Sequence, residues 1–229
     1  MSWRRDHAAI RFVRVTRIRC SSEFEPIGGQ RKRAFDLIFA AIALAVGSPF
    51  FTFAALMVKF TSRGPLFFRQ ERIGYGGRLF ICYKFRTMVV DADVQLRRLL
   101  NEDALARAEW EACQKLSCDP RVTLGGQLLR LSSLDELPQL INVLRGDMSL
   151  VGPRPIVEEE IFRYREKFAD YRRARPGITG SWQVSGRNDI SFEERTELDR
   201  SYVRNWSFLG DIMIILRTIP AVLLSKGCY

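Results

Sequence analysis

Between Leu37 and Val58 the chain carries no charged residue for 22 positions, and no other feature restricts its folding so strongly. A helix of that length, rising about 1.5 Å per residue, reaches across a hydrocarbon core of about 30 Å. The run is interrupted near its middle by Ser48-Pro49. Proline inside a helix withholds one backbone hydrogen bond and collides with the carbonyl four residues back, at roughly 3 kcal/mol, so the helix bends or breaks there. Each half, of about 12 residues, then reaches roughly 18 Å, slightly more than half the hydrocarbon thickness. Two geometries satisfy this: a kinked single span, and a re-entrant hairpin that enters and leaves through one face.

Flanking charge bears on the choice. Arg31, Lys32 and Arg33 precede the run, and Lys59, Arg63, Arg69 and Arg72 follow it. Positive flanks prefer the cytoplasmic side, so both ends are expected on that side. The run starts too late and is too long for a cleaved signal peptide. Ahead of it, residues 1–30 read as a basic tail with Arg4, Arg5, Arg11, Arg14, Arg17 and Arg19, ending in Pro26-Ile27-Gly28-Gly29. The expected organisation is therefore a tail over 1–30, a membrane helix over 31–60 and a cytosolic domain over 61–229.

A chain of 229 residues suits one well-buried domain with a membrane segment and is short for two independent folds. Lysine and arginine outnumber aspartate and glutamate 36 to 26, a net charge of +10. That excess calls for an anionic partner: nucleic acid, anionic lipid or a phosphorylated substrate. Cys20, Cys82, Cys113, Cys118 and Cys228 show no paired C-x-x-C spacing, so neither a zinc site nor a disulfide framework is indicated. The one histidine, His7, lies in the tail, which argues against histidine-assisted nucleophiles and a histidine metal centre. An active site here must be built from carboxylates, cations and backbone.

Pro65 to Ile73 and Arg78 to Arg86 flank the turn Gly74-Tyr75-Gly76-Gly77 and read as a β-hairpin. Gly74-x-Gly76 lacks the third glycine and the following helix of a dinucleotide fingerprint, and no P-loop is present. Helices are expected over Asp93 to Leu116, Leu124 to Leu131, Leu134 to Leu144 and Ile156 to Tyr171, followed by a loop from Pro176 to Asn188. Asp211 to Leu224 is apolar but interrupted by Arg217 and Pro220, which suits an interfacial helix. The expected class is α+β: mainly helical, with a small β-hairpin and amphipathic interfacial helices, fixed to one membrane face, with the broken helix either a kinked span or a re-entrant hairpin.

The run Ser132 to Leu140 sets two adjacent carboxylates, Asp135 and Glu136, near a helix start. Pro138 fits only the first helical positions, which makes Asp135 the expected N-cap; a Ser133–Glu136 capping box is the alternative. Either way the pair lies at the positive end of a helix, where a diphosphate is also attracted. Taken alone, an Asp-Glu pair is most often an ordinary acidic cap. Its cationic company changes the reading. Lys84 and Arg86, two apart on a strand, are expected on one face as a phosphate clamp. Arg130 precedes the pair, Arg154 is held between Pro153 and Pro155, and Arg187 follows the glycine-containing loop Pro176 to Gly180. A solvated strand face or a surface arginine explains each of these singly. Together, two carboxylates and several cations suit phosphoryl transfer with a magnesium ion that bridges phosphate oxygens.

The runs Lys84-Phe85-Arg86-Thr87-Met88, Leu134-Asp135-Glu136-Leu137-Pro138-Gln139-Leu140-Ile141-Asn142-Val143, Gly146 to Pro155 and Arg175-Pro176-Gly177-Ile178-Thr179-Gly180 resemble the bacterial sugar transferases, the monotopic polyprenyl-phosphate phosphoglycosyltransferases. The likeness extends from about Gly28 to Tyr229 and includes Lys32 to Asp36 and the Ser48-Pro49 break, which in that family marks a re-entrant helix. The resemblance implies that Asp135 is the nucleophile, that Glu136 binds Mg2+, and that Lys84, Arg86, Arg130 and Arg154 contact phosphate. Within the family the chain is most similar to undecaprenyl-phosphate galactose phosphotransferases of exopolysaccharide synthesis. Ser181 departs from the pattern, in which an apolar residue precedes Trp182-Gln183, without touching the implied catalytic groups.

The function this resemblance implies is a group transfer. A hexose 1-phosphate is expected to pass from a UDP-sugar, with UDP-galactose preferred over UDP-glucose or a UDP-N-acetylhexosamine, to undecaprenyl phosphate. UMP is released and an aspartyl intermediate forms on Asp135. The partners expected are UDP-sugar, undecaprenyl phosphate and lipid of the bacterial inner membrane, with the catalytic domain on the cytosolic face. No nucleic-acid motif is present, and a homo-oligomer is left open. A non-catalytic scaffold that binds anionic lipid is the rival of a different class.

Overall fold

A computed structural model describes residues 25–113, 116–185 and 190–223. The basic tail through residue 24 and Arg187 lie outside the described residues. The chain opens with α1 (Gly29–Val46) and α2 (Ser48–Thr61), which meet at Gly47 with a bend of 63°. No single helix among the described residues is long and apolar enough to cross a membrane. Pro49 is the second residue of α2, where its missing N–H takes no bond from that helix. The same missing donor, together with the ring's clash toward the carbonyl of Ala45, stops α1 from continuing.

The hairpin forms where expected, as β1 (Phe67–Ile73) antiparallel to β2 (Leu79–Phe85), with Phe68 opposite Lys84 and Arg72 opposite Phe80. Gly76 and Gly77, at φ 68° and 75°, make its turn, a backbone region that glycine enters without a Cβ penalty. Next come α3 (Ala92–Glu102) and α4 (Ala104–Cys113). The single helix expected over Asp93 to Leu116 is thus two, because extended Asp103 turns its Oδ1 to the N–H groups of Leu105 and Ala106, at 2.8 and 3.1 Å, and caps a second start.

After α5 (Leu124–Leu131), the helix expected over Leu134 to Leu144 is a 3-10 turn, Leu134–Glu136, followed by α6 (Gln139–Arg145). Pro138 is the N-cap of α6, so Asp135 is not a cap, and Ser133 makes no side-chain capping bond either. β3 (Ser149–Val151) leads to a 3-10 turn, Glu158–Glu160, then α7 (Ile161–Tyr164) and α8 (Phe168–Tyr171). Arg165, at φ 49°, breaks the single helix expected from Ile156 to Tyr171. The loop expected from Pro176 contains β4 (Gly177–Thr179), parallel to β3, and α9 (Ser181–Ser185). α10 (Phe192–Arg204) and α11 (Phe208–Leu223) complete the described fold.

The bent pair packs its inner stripe on the rest of the molecule. Ala40 joins Cys82, Leu140, Val143 and Met148 in one core, while Ala54 and Val58 join Phe85 and Leu129 in another. The outer face leaves Ile38, Ile42, Val46, Phe50, Phe53 and Phe60 exposed. At its start, buried Lys32 donates to Asp211 on α11 at 2.5 Å, and Asp211 also accepts from Tyr202 Oη at 2.7 Å and Trp206 Nε1 at 3.0 Å. A buried carboxylate is tolerable when its lone pairs are satisfied in this way. One turn along, buried Asp36 accepts from Ser149 Oγ at 3.0 Å and from the Leu150 N–H at 3.1 Å, which fastens α1 to β3. On α11, Leu209, Met213, Leu216 and Ile219 form an exposed apolar face.

Candidate active site

Asp135 and Glu136 project from the 3-10 turn between α5 and α6, behind Ser133 in the left-handed region at φ 57°. That backbone conformation is uncommon for serine and is imposed by the sharp reversal out of α5. Lys84, near the end of β2, donates to Glu136 Oε1 at 2.5 Å, both side chains half-buried. Burial disfavours the Lys84 ammonium, but the Glu136 carboxylate outweighs that and holds its pKa above the ordinary lysine value. Burial, and then the adjacent Glu136 charge, push the Asp135 carboxyl up to about 6 against the pull of Lys84 and Arg130. Two carboxylates thus share one corner with two cations.

Each cation is placed by tertiary contacts. Arg130, in the last turn of α5, donates from Nε to Thr87 Oγ1 at 3.0 Å. Thr87 lies just beyond β2, and a Cβ on Gly126 of α5 would come within 2.0 Å of its carbonyl oxygen, so helix and strand end touch backbone to backbone. Fully buried Asn142 of α6 accepts from the Tyr83 N–H at 3.0 Å and donates to the Ile81 carbonyl at 2.7 Å. It pins the strand that carries Lys84 to the helix that follows the carboxylates.

Arg86 does not join Lys84. It is buried beyond the strand end, donating from Nη2 to the Ser62 carbonyl at 2.9 Å, and its Nε and Nη1 have no hydrogen-bond partner among the described residues. Arg154 is exposed on the Pro153–Pro155 turn at the other end of the hairpin, with its guanidinium carbon 5.5 Å from the Trp182 ring centre. Arg72 ties that turn to β1, donating to the Pro155 carbonyl at 3.0 Å and to Gln70 Oε1 at 2.6 Å. One hairpin face therefore runs from Lys84 through Cys82 and Gln70 to Arg72, a reach of about 13 Å at the rise of a β-strand.

Thr87, Asn142 and Arg72 were missed as site elements in the sequence. One signal was available: Gln70 and Arg72 have the same two-residue spacing as Lys84 and Arg86. Among the described residues no group of three or more His, Cys, Asp or Glu side chains forms a metal cage. Glu136, whose Oε1 accepts from Lys84, is the carboxylate that, together with a diphosphate and water, would hold a magnesium ion.

The chain matches the family model described as bacterial sugar transferase over residues 28–225. It is 50% identical over 204 residues to the exopolysaccharide production protein ExoY of Sinorhizobium fredii, covering 89% of this chain and 90% of that one. It is 48% identical to the undecaprenyl-phosphate galactose phosphotransferase of Salmonella typhimurium, over 86% of this chain and 41% of the longer relative. The UDP-glucose:undecaprenyl-phosphate glucose-1-phosphate transferase of Caulobacter vibrioides is 39% identical, over 87% of this chain and 72% of the relative. With a family match over residues 28–225 and 50% identity over 204 residues to a relative of similar length, this protein belongs to the bacterial sugar transferases and is a transferase enzyme.

Proposed function

We propose that the enzyme transfers a hexose 1-phosphate from a UDP-sugar to undecaprenyl phosphate and releases UMP, through a covalent intermediate on Asp135. The observation that carries this reading is the corner in which Asp135 lies beside Glu136, Lys84 and Arg130. A carboxylate oxygen of Asp135 attacks the β-phosphorus of the donor, and the bond to the bridging oxygen breaks with its electron pair leaving on UMP. An oxygen of undecaprenyl phosphate then attacks the aspartyl-bound phosphorus, Asp135 departs as carboxylate, and the lipid diphosphate sugar is the product. Lys84 and Arg130 offset charge on the transferred phosphoryl group. Glu136 and the donor diphosphate would hold a magnesium ion, which supplies charge neutralisation when bound.

UDP-galactose is the preferred donor, supported by relatives named for galactose transfer, and a relative named for glucose 1-phosphate makes UDP-glucose the second choice. Lipid association is part of the same reading. The exposed outer faces of α1, α2 and α11 supply apolar surface. Lys32 at one end of the bent pair and Thr61 at the other both pack on the catalytic domain, which supports a re-entrant path with that domain on the cytosolic face of the inner membrane.

The test is the intact mass of detergent-solubilised enzyme mixed with UDP-sugar and no acceptor. A hexose-phosphate increment that maps to Asp135 is expected, absent in Asp135→Asn at every magnesium concentration. Glu136→Gln should retain residual UMP release that responds to added magnesium. Turnover by Asp135→Asn, or an increment elsewhere, would replace this mechanism by direct attack of the lipid phosphate on the nucleotide sugar. No UMP release with any UDP-sugar would favour a lipid-binding scaffold.

A further inference from the structure

The two apolar cores that hold the bent helix pair meet at the turn that carries the carboxylates. The first contains Ala40 of α1, with Leu44 packed against that core, and the second contains Ala54 and Val58 of α2, with Phe51 packed against it. Leu44 and Phe51 stand three and four residues from Gly47, so both cores reach up to the bend. Strand β2 passes through both as well, giving Cys82 to the first and Phe85 to the second, with Lys84 between them. Among the described residues one side chain, Leu137, packs against both of these cores.

Leu137 follows Glu136 directly. Its N–H donates to the Leu134 carbonyl at 3.2 Å and closes the 3-10 turn, and its carbonyl accepts from the Leu140 N–H at 3.0 Å as α6 begins. Leu134, at the other end of the turn, packs against the second core alone. The carboxylates are thus carried on a turn anchored at both ends by leucines, and one anchor bridges the core of α1 and the core of α2. The outer ends of the arms are tied down. Lys32 binds Asp211 and Asp36 binds Ser149 and Leu150 at the start of α1, and the end of α2 lies against Gly125, where Thr61 leaves no room for a Cβ. A change in the angle at Gly47 is therefore taken up near the bend, and a close-packed interior passes such a displacement on to the side chains it touches.

We propose that Leu137 is a positioning residue that couples the bend of α1 and α2 to the carboxylate corner. Seated between the two cores, it sets where Asp135 and Glu136 stand relative to Lys84 and Arg130, so the rate of the first transfer depends on the angle at Gly47. The inference rests on the reading of the reaction given above. In a re-entrant pair that angle follows the thickness of the bilayer into which the arms reach, because an apolar segment adjusts its tilt or bend to the hydrocarbon depth. Turnover then varies with the membrane around the enzyme, through packing and without a ligand.

The experiment uses the full-length enzyme in nanodiscs and measures the single-turnover rate of adduct formation on Asp135, with steady-state kinetics in both substrates beside it. Leu137→Ala should slow adduct formation about 10- to 100-fold, the cost of displacing a reacting group by up to about 1 Å. KM for the UDP-sugar and for undecaprenyl phosphate should stay within about twofold of wild type. Leu137→Met conserves volume and should keep most of the rate. Leu66→Ala removes a side chain packed on the second core alone; it should lower Tm with kcat unchanged. Nitroxides attached to a ketone residue encoded at exposed Ile38 and Phe53 report the distance between the arms. From short-chain to long-chain lipid that distance and the wild-type rate should shift together, and in Leu137→Ala the distance should still shift while the rate stays flat. The lipid series on wild type needs no variant, so it decides the matter even where Leu137→Ala folds poorly. An unslowed Leu137→Ala, an equal kcat loss in Leu66→Ala, a loss confined to KM, or a wild-type rate that ignores a shift in distance would each overturn the inference. If wild-type enzyme forms the Asp135 adduct and any of these holds, the inference fails alone; absence of the adduct in the wild type overturns it together with the reading on which it rests.

Discussion

Lys84 Nζ lies 2.5 Å from Glu136 Oε1, joining the end of a hairpin strand to the turn between two helices across 52 positions of sequence. The contact leaves Asp135 with one cation already engaged by its neighbour and a second, Arg130, held by Thr87. Lys84→Met would leave two adjacent carboxylates facing an incoming diphosphate with that first cation gone. UMP release should fall about 100- to 1,000-fold, with Lys84→Arg retaining more activity than Lys84→Met. Equal activity of Lys84→Met and wild type would show that Arg130 alone suffices.

Gly126 is the tightest approach beneath the site. A methyl group there would meet the Thr87 carbonyl oxygen at 2.0 Å, and backbone cannot yield as a flexible side chain does. Gly126→Ala should therefore push α5 away from Thr87, destabilise the protein by about 1–3 kcal/mol and loosen the Arg130–Thr87 bond. Thermal unfolding in detergent and UMP release would both register it. An unchanged Tm with full activity would refute the close contact.

Burial pushes the Asp199 carboxyl up to about 7, against the hydrogen bond from Tyr164. A carboxyl whose folded pKa is raised contributes its full stability below its unfolded value of about 4 and loses that contribution as pH climbs through the folded value. Asp199→Asn keeps the neutral shape at every pH. The Tm of the variant minus that of the wild type should therefore increase from about pH 4 to pH 7, and parallel Tm curves would show that Asp199 does not titrate in this window.

For the bent pair, single cysteines placed in the basic tail and just after Lys59 should both react from the cytosolic side. Pro49→Leu restores the donor toward Ala45, yet Lys32 still binds Asp211 and Thr61 still packs on Gly125, so both labels should stay cytosolic. Combined with Asp211→Ala, which frees the start of α1, Pro49→Leu should place a fraction of the tail labels on the opposite side. Opposite-side labelling of the wild type would reject the re-entrant path.

Features that depend on neighbouring residues alone were legible in the sequence. Proline at position 49 stops α1 and starts α2, glycines at 76 and 77 close the hairpin, and Asp135 and Glu136 are neighbours by covalent linkage. Short-range rules also misled where two local choices competed. Pro138 starts α6 by itself and leaves Asp135 in a 3-10 turn instead of an N-cap, and Asp103 caps a new helix within an unbroken pattern of helix formers. Which cations meet the carboxylates, by contrast, was settled by packing between distant segments. The two-residue period of a strand treats Lys84 and Arg86 alike, but the strand ends at Phe85, so packing turns Lys84 to Glu136 and buries Arg86 against Ser62. The parallel pairing of β3 with β4, and the face of α10 that carries Arg195 to Trp182, likewise depend on contacts made across the fold. Such contacts are selected by the shape and burial of the whole core, and no local pattern of residues encodes them.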